Sequence, residues 1–194
     1  VAKTGYPNKN IHIIPNSSDI SFFQLNKKLK IGLQNKYKWN VGDKIIIYTG
    51  TLGEINGVEY LVDIANEFIE INNKVKFLIV GDGIEEQAIR NKAKIYNCLD
   101  NNLFMINQLP KNKMPGLFNI STIATSLFIP IKEMEANSAN KFFDTLAAGK
   151  PIVINYGGWQ KDLIEKHNIG LVLARDPKVA AKALNELLKN DELL

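Results

Sequence analysis

The residues with most capacity for chemistry lie in one stretch, I-K-E-M-E-A-N-S-A-N-K-F-F-D-T-L-A-A-G-K-P, between Pro130 and Pro151. Ser138 or Asn140 is placed to cap a helix that runs to Ala148. Gly149 then supplies the stop and Pro151 the start of the next strand. On that helix Lys141 and Asp144 are three residues apart and share a face. Phe142, Phe143 and Leu146 cover the other side. A cation in the first turn opposes the helix dipole, and a bound anion would remove the conflict. Asp144 can accept two hydroxyl groups, the role that carboxylates play on a ribose in nucleotide sites. The competing reading is an exposed i,i+3 ion pair worth a few tenths of a kcal/mol.

Four further loops follow apolar runs. Thr49-Gly50-Thr51-Leu52-Gly53-Glu54-Ile55-Asn56-Gly57 leads into a helix. Glycines there let backbone N–H groups approach a phosphate at a helix start. The spacing matches neither the dinucleotide G-x-G-x-x-G nor the P-loop, so those two sites are excluded. Val80-Gly81-Asp82-Gly83 offers the same close approach, with Asp82 as a candidate cap. Asn107-Gln108-Leu109-Pro110 presents polar groups that can read the edge of a base. Tyr156-Gly157-Gly158-Trp159-Gln160 is either a loop that closes on a sugar or one whose Trp packs inward. Each loop also reads as a plain strand-to-helix turn. His12 and His167 have no triad or metal spacing around them. Cys98 falls late in a helix and reads as a packed thiol.

These loops need a frame that brings strand ends together. Short apolar runs at 44–48, 75–80, 103–106, 123–127, 152–155 and 171–173 read as strands buried on both faces. Helical patterns at 57–71, 85–96, 113–119, 140–148, 160–167 and 177–189 alternate with them. In the first, Leu61, Ile64, Ala65, Phe68 and Ile69 form one apolar face. Alternation of this kind predicts a parallel sheet with helices on both faces and ligands at the carboxyl ends of the strands. Residues 1–43 depart from the pattern. Ile11–Ile14 reads as a strand and 26–36 as a lysine-rich helix. Residues 1–20 read as a connection from a preceding, absent domain, and 21–194 as one domain.

Composition narrows the function. The 194 residues are 45% hydrophobic and 23% charged, ordinary for a globular chain. One cysteine excludes an internal disulfide framework and a Cys-rich zinc site. No apolar run reaches the roughly 18 residues of a membrane span, and no signal peptide is visible. The net charge of +4 is uneven. Residues 1–50 carry eight lysines and two aspartates, whereas the rest is slightly acidic. Arg90 and Arg175 are the only arginines. Nucleic-acid sites favour the arginine fork, so this distribution argues against nucleic acid as a partner.

Taken together, the motifs resemble the C-terminal, donor-binding domain of family 4 retaining glycosyltransferases of GT-B fold. Ile14-Pro15-Asn16-Ser17-Ser18-Asp19 looks like the I-P-N-G-V-D segment. Residues 45–57 look like the strand and loop V-G-R-L-x-x-x-K-G. Val80-Gly81-Asp82-Gly83 matches V-G-D-G-P. Asp144-Thr145-Leu146-Ala147-Ala148-Gly149-Lys150-Pro151 matches the end of the E-x7-E motif, and Gly157-Gly158 the Gly-Gly after it. The resemblance implies an α/β, Rossmann-like parallel sheet of about six strands, one lobe of a GT-B fold. It implies a nucleotide-sugar donor, commonly a UDP sugar. Asp144 would hold the ribose hydroxyls. The loop at Asn107 and Gln108 would contact the base. The phosphates would sit on the loop with Gly50, Thr51, Gly53 and Asn56 and on the helix start with Ser138, Asn140 and Lys141, with Gly81 and Asp82 also in the donor site. Gly157 and Gly158 complete the site. No metal or other cofactor is implied.

Departures from the pattern are informative. The usual loop Arg and Lys fall on Thr51 and Asn56, and the first Glu of E-x7-E falls on Ala136, beside Glu135 and near Glu133. The second acid is Asp. We expect Lys141 to take over the phosphate charge. The Ser138–Lys141 and Gly157–Gln160 stretches resemble a bacterial subgroup that includes N-acetyl-L-fucosamine transferases of surface polysaccharide synthesis. Acceptors in the family are saccharides or lipid-linked saccharides, which implies a cytoplasmic protein, with contact at the inner membrane face an open option. Two alternatives stand beside this expectation: a nucleotide-sugar 2-epimerase lobe, and a nucleotide-sugar-binding domain without activity.

Overall fold

A computed structural model describes residue 12 and residues 14–24 and 32–190. Six strands form one sheet: β1 (Lys44–Thr49), β2 (Val75–Val80), β3 (Leu103–Ile106), β4 (Ile123–Ser126), β5 (Ile152–Ile154) and β6 (Gly170–Val172). All adjacent pairs are parallel, in the order β3-β2-β1-β4-β5-β6. The chain therefore builds outward from β1 to one edge, returns, and builds to the other from β4. The order reverses between β1 and β4, and the loops leaving those two strands diverge to open a crevice.

Helices cover both faces, as the strand patterning requires. Along β1, Ile46 and Tyr48 enter one core with Leu61, Ile64 and Phe68 of α3 (Glu59–Ile71), Ile89 and Ala93 of α4 (Glu86–Ile95), and Leu184 of α8 (Pro177–Leu187). Ile45 and Ile47 point the other way, onto Phe23 of α1 (Ile20–Phe23) and Leu117 and Phe118 of α5 (Met114–Ile120). A third cluster joins Ile152 and Ile154 to Phe142 of α6 (Asn140–Ala147) and Ile164 of α7 (Trp159–His167). Burying one Leu, Ile or Phe side chain contributes about 1.5–3 kcal/mol, so both faces hold the sheet rigidly beneath its loops.

The six expected strands and six expected helices are all present, with ends within two residues of the expectation. The lead-in differs. In the lysine-rich pattern at 26–36 the described part holds a short helix, α2 (Leu33–Lys36), and residues 25–31 lie outside the described residues. Ile11 and Ile13, half of the expected Ile11–Ile14 strand, also lie outside them, and His12 and Ile14 belong to no strand.

Candidate functional site

A cavity of about 690 Å³ opens at the carboxyl end of the sheet, beside the point where the strand order reverses. The end of β1 and its loop contribute Thr49, Gly50, Thr51 and Asn56. The first turns of α6 contribute Asn140, Lys141 and Asp144. Gln108, Leu109 and Met114 come from the segment after β3, and Ser18 and Phe22 from the lead-in.

Lys141 dominates the electrostatics. Its Nζ donates to the Tyr48 hydroxyl at 2.9 Å and lies 3.3 Å from Asn56 Oδ1. It also sits 4.4 Å from the Tyr48 ring centre and 5.7 Å from that of Phe128. All three partners are neutral, and among the described residues no carboxylate pairs with it. Burial without a counter-charge pushes the Lys141 ammonium down to about 8. Tyr48 is fully buried and its hydroxyl donates in turn to the Thr51 carbonyl at 2.9 Å, which leaves a lone pair aimed at the lysine. Burial raises the Tyr48 pKa, so the hydroxyl stays neutral. The site thus holds a desolvated cation whose contacts are neutral, with no anionic side chain against it among the described residues.

The start of α6 reinforces this. The N-cap residue is Ala139, which has no capping side chain. Ser138 and Asn140 do not cap, contrary to expectation, because both are engaged by Asn16. Ser138 Oγ accepts from the Asn16 backbone N–H at 2.9 Å, and Asn140 Oδ1 from the Asn16 side-chain amide at 2.8 Å. The Asn16 amide also donates to the Ser138 carbonyl. The Phe142 N–H donates to the Ala139 carbonyl at 3.1 Å, and with no side-chain cap the N–H groups of Asn140 and Lys141 keep their capacity for an anion. Three residues beyond Lys141, Asp144 Oδ1 accepts from Ser18 Oγ at 2.6 Å.

Of the residues singled out in the sequence, the cavity gathers Gly50, Thr51, Asn56, Gln108, Asn140, Lys141 and Asp144. Others lie elsewhere. Gly81 packs under the first loop: a Cβ there would stand 1.9 Å from the Gly50 carbonyl oxygen. Asp82 caps nothing; it is exposed, and its carbonyl accepts from Leu52 N–H at 2.7 Å. Gly53 lines a neighbouring cavity of about 520 Å³. Asn107 is exposed outside the lining. Gly157 rests beside the Glu135 side chain, and Gly158, at φ +84°, lets the chain pass the Glu135 carbonyl where a Cβ would come within 2.1 Å. Trp159 is half-buried: its indole N–H donates to the Asn137 carbonyl at 2.9 Å and its ring packs on Phe142 and Phe143. Cys98 is buried, and desolvation raises its thiol to about 11, which fits a packed thiol.

Tyr48, Phe128, Ser18 and Asn16 went unread as site residues. Tyr48 carried a signal: it is the one residue with a polar tip in the fully buried run Ile45–Tyr48 of β1, two positions before Gly50. Asn16 and Ser18 lie in the segment that resembles I-P-N-G-V-D, but their bonds to Ser138 and Asp144 were not readable, because those partners are more than 120 residues away.

Comparison with known proteins agrees with this geometry. The sequence model of the family described as glycosyl transferases group 1 matches residues 31–194, and the chain belongs to that family. Spore coat protein SA of Bacillus subtilis is 24% identical over 159 residues, covering 78% of this chain and 41% of that protein. Anabaena Alr3699/HepE in complex with UDP and glucose superposes with a TM-score of 0.79 at 14% identity, over 99% of this chain and 51% of that one. The C-terminal domain of the glycosyl transferase group 1 protein LpcC from Francisella tularensis has a TM-score of 0.72 at 15% identity, covering 91% and 90% of the two chains. These structures share the GT-B-type Rossmann-like lobe. The chain spans about two fifths to one half of the first two relatives.

Proposed function

We propose that this chain is the donor-binding lobe of a retaining glycosyltransferase that uses a nucleotide sugar, most simply a UDP sugar. The observation that carries the reading is Lys141: a buried cation without a counter-charge, at the open N-terminus of α6, in a cavity at the strand-order switch. A diphosphate supplies the missing charge. Asp144, one turn along the same helix face, is placed for the ribose hydroxyls. Phe22, Leu109 and Met114 form an apolar end suited to a base, with Gln108 beside it. α1 packs on both α5 and α6, and the Ser18 hydroxyl just before it bonds to Asp144 in the same cavity. Alr3699/HepE, which shares the fold, is known in complexes with UDP and with UDP-glucose, and this supports the choice of nucleotide.

In this reading the lobe orients the donor and stabilises the departing diphosphate with fixed charge and dipoles. Lys141 and the α6 N–H groups meet the phosphate charge, so the reading calls for no resident metal. A preceding lobe would bind a saccharide or lipid-linked saccharide acceptor of a cell-surface polysaccharide. We place the protein in the cytoplasm, in reach of the inner membrane face; among the described residues no helix is long and apolar enough to cross a membrane. Calorimetric titration with UDP and UDP-glucose tests the reading. Lys141→Ala should weaken UDP binding by roughly 10- to 150-fold, the worth of a charge-assisted phosphate contact of about 1.5–3 kcal/mol. Unchanged affinity would overturn it.

A further inference from the structure

We infer that Ser18 and Asp144 act together as the receptor for the vicinal diol of the nucleotide's ribose, with Ser18 a binding residue in its own right. The inference rests on the nucleotide reading above and extends it to a residue from the lead-in segment.

The Ser18 hydroxyl donates its proton to Asp144 Oδ1 at 2.6 Å. A hydroxyl that donates keeps two lone pairs as acceptors, and Ser18 lines the same cavity as Asp144. Among the described residues nothing donates to Asp144 Oδ2. The pair therefore offers two acceptors side by side, one carboxylate oxygen and one hydroxyl oxygen polarised by its bond to the carboxylate. Two adjacent hydroxyl donors of a diol match that arrangement. An aspartate alone is one methylene shorter than a glutamate at the same helix position, and Ser18 Oγ extends the acceptor surface beyond its tip.

Ser18 is also held in place from both sides. Two residues earlier, Asn16 is bonded to Ser138 and Asn140 at the start of α6. One residue later, Asp19 caps α1, accepting from the Phe22 N–H at 3.1 Å. The hydroxyl is thus fixed before any ligand arrives, which reduces the entropy lost on binding. The three bonds from Asn16 alone would serve to dock the segment; the bond from Ser18 to Asp144 is the one that enters the cavity.

The test is calorimetry on the full chain with UDP and 2′,3′-dideoxy-UDP, comparing wild type with Ser18→Ala, Ser18→Thr and Ser18→Cys. The readout is the preference for UDP over its dideoxy analogue. It should fall roughly three- to tenfold in Ser18→Ala, the range of one hydrogen bond. Ser18→Thr, which keeps the hydroxyl, should retain it. Ser18→Cys, similar in size but a weak acceptor, should lose it, and serves if the alanine variant fails to give a cooperative thermal melt. A parallel loss of affinity for both nucleotides at constant preference would show a merely structural serine and overturn the inference. So would tighter UDP binding by Ser18→Ala, which would make the serine a competitor of the ligand. Failure of the wild type to bind UDP at all would instead overturn the nucleotide reading.

Discussion

Lys92 and Lys141 make an instructive pair. Each lines a cavity, the two cavities share Phe128 as a wall, and both ammonium groups are drawn out of water. Lys92, on α4, meets Asp63 Oδ2 at 2.8 Å and Glu59 Oε2 at 3.5 Å. Desolvation pulls its pKa down, but the Asp63 hydrogen bond and the charges of Asp63, Glu59 and Tyr96 outweigh it, and the net shift is upward. Lys141 has a phenol, an amide and two aromatic faces, and its pKa falls. One cation is part of the scaffold between α3 and α4. The other carries a desolvation cost that an incoming anion would relieve. The contrast teaches that, on the proposed reading, the distribution of counter-charge, more than cavity size or the number of lysines, marks which opening is suited to a phosphate.

The largest expected effect separates the two lysines by ligand. Lys141→Ala should lose UDP affinity by the roughly 10- to 150-fold given above, while Lys92→Ala leaves it within twofold of wild type, on the order of 0.4 kcal/mol. Comparable losses in both variants would dissolve the comparison. Next in size is pH. Above pH 8 the unliganded Lys141 gives up its proton, whereas the phosphates, with a second pKa of about 6, are already ionised. UDP affinity should therefore decline as pH rises through about 8, approaching tenfold per unit, and residual binding to Lys141→Met should stay flat. A wild-type profile flat to pH 10 would contradict the depressed pKa.

The smallest effect is on stability, and its sign differs between the lysines. Lys92→Met leaves Asp63 and Glu59 without their cation and should lower the melting temperature by about 2–4 °C, equivalent to about 1 kcal/mol. Lys141→Met removes a buried charge without a counter-ion and should leave the melting temperature unchanged or raise it. Linkage gives the same sign for Lys141. Its folded pKa lies below the unfolded value, so between about 8 and 10.5 the unfolded chain binds more protons. The lysine's contribution to stability thus improves as pH climbs through that window. Differential scanning calorimetry of the two methionine variants at pH 7 checks both signs.

The comparison also shows where sequence reasoning reaches. The six strands were legible because runs such as Ile45–Tyr48 are apolar on consecutive positions, the mark of burial on both faces. The strand order was not, since which parallel strands pair is decided by contacts far apart along the chain. Lys141 and Asp144 were legible as a pair because helical spacing is local. The absence of a counter-ion for Lys141 was not, because Tyr48 lies 93 residues away. Ser138 and Asn140 have the chemistry of caps, but bonds to Asn16 draw them off, a tertiary demand that overrides local preference. The Gly81 loop looked like the Gly50 loop by composition. In three dimensions one glycine lets the other loop lie upon it, and Gly50 and Thr51 line the cavity whereas Gly81, Asp82 and Gly83 do not.

The central claim is that the Lys141 charge waits for an anion. The most direct test follows the side-chain resonances of both lysines by NMR as pH is raised, with and without UDP. The account predicts that Lys141 titrates near 8 in the free protein and moves upward into the ordinary lysine range when UDP is bound, while Lys92 titrates high in both. A Lys141 midpoint that UDP leaves unmoved would contradict it.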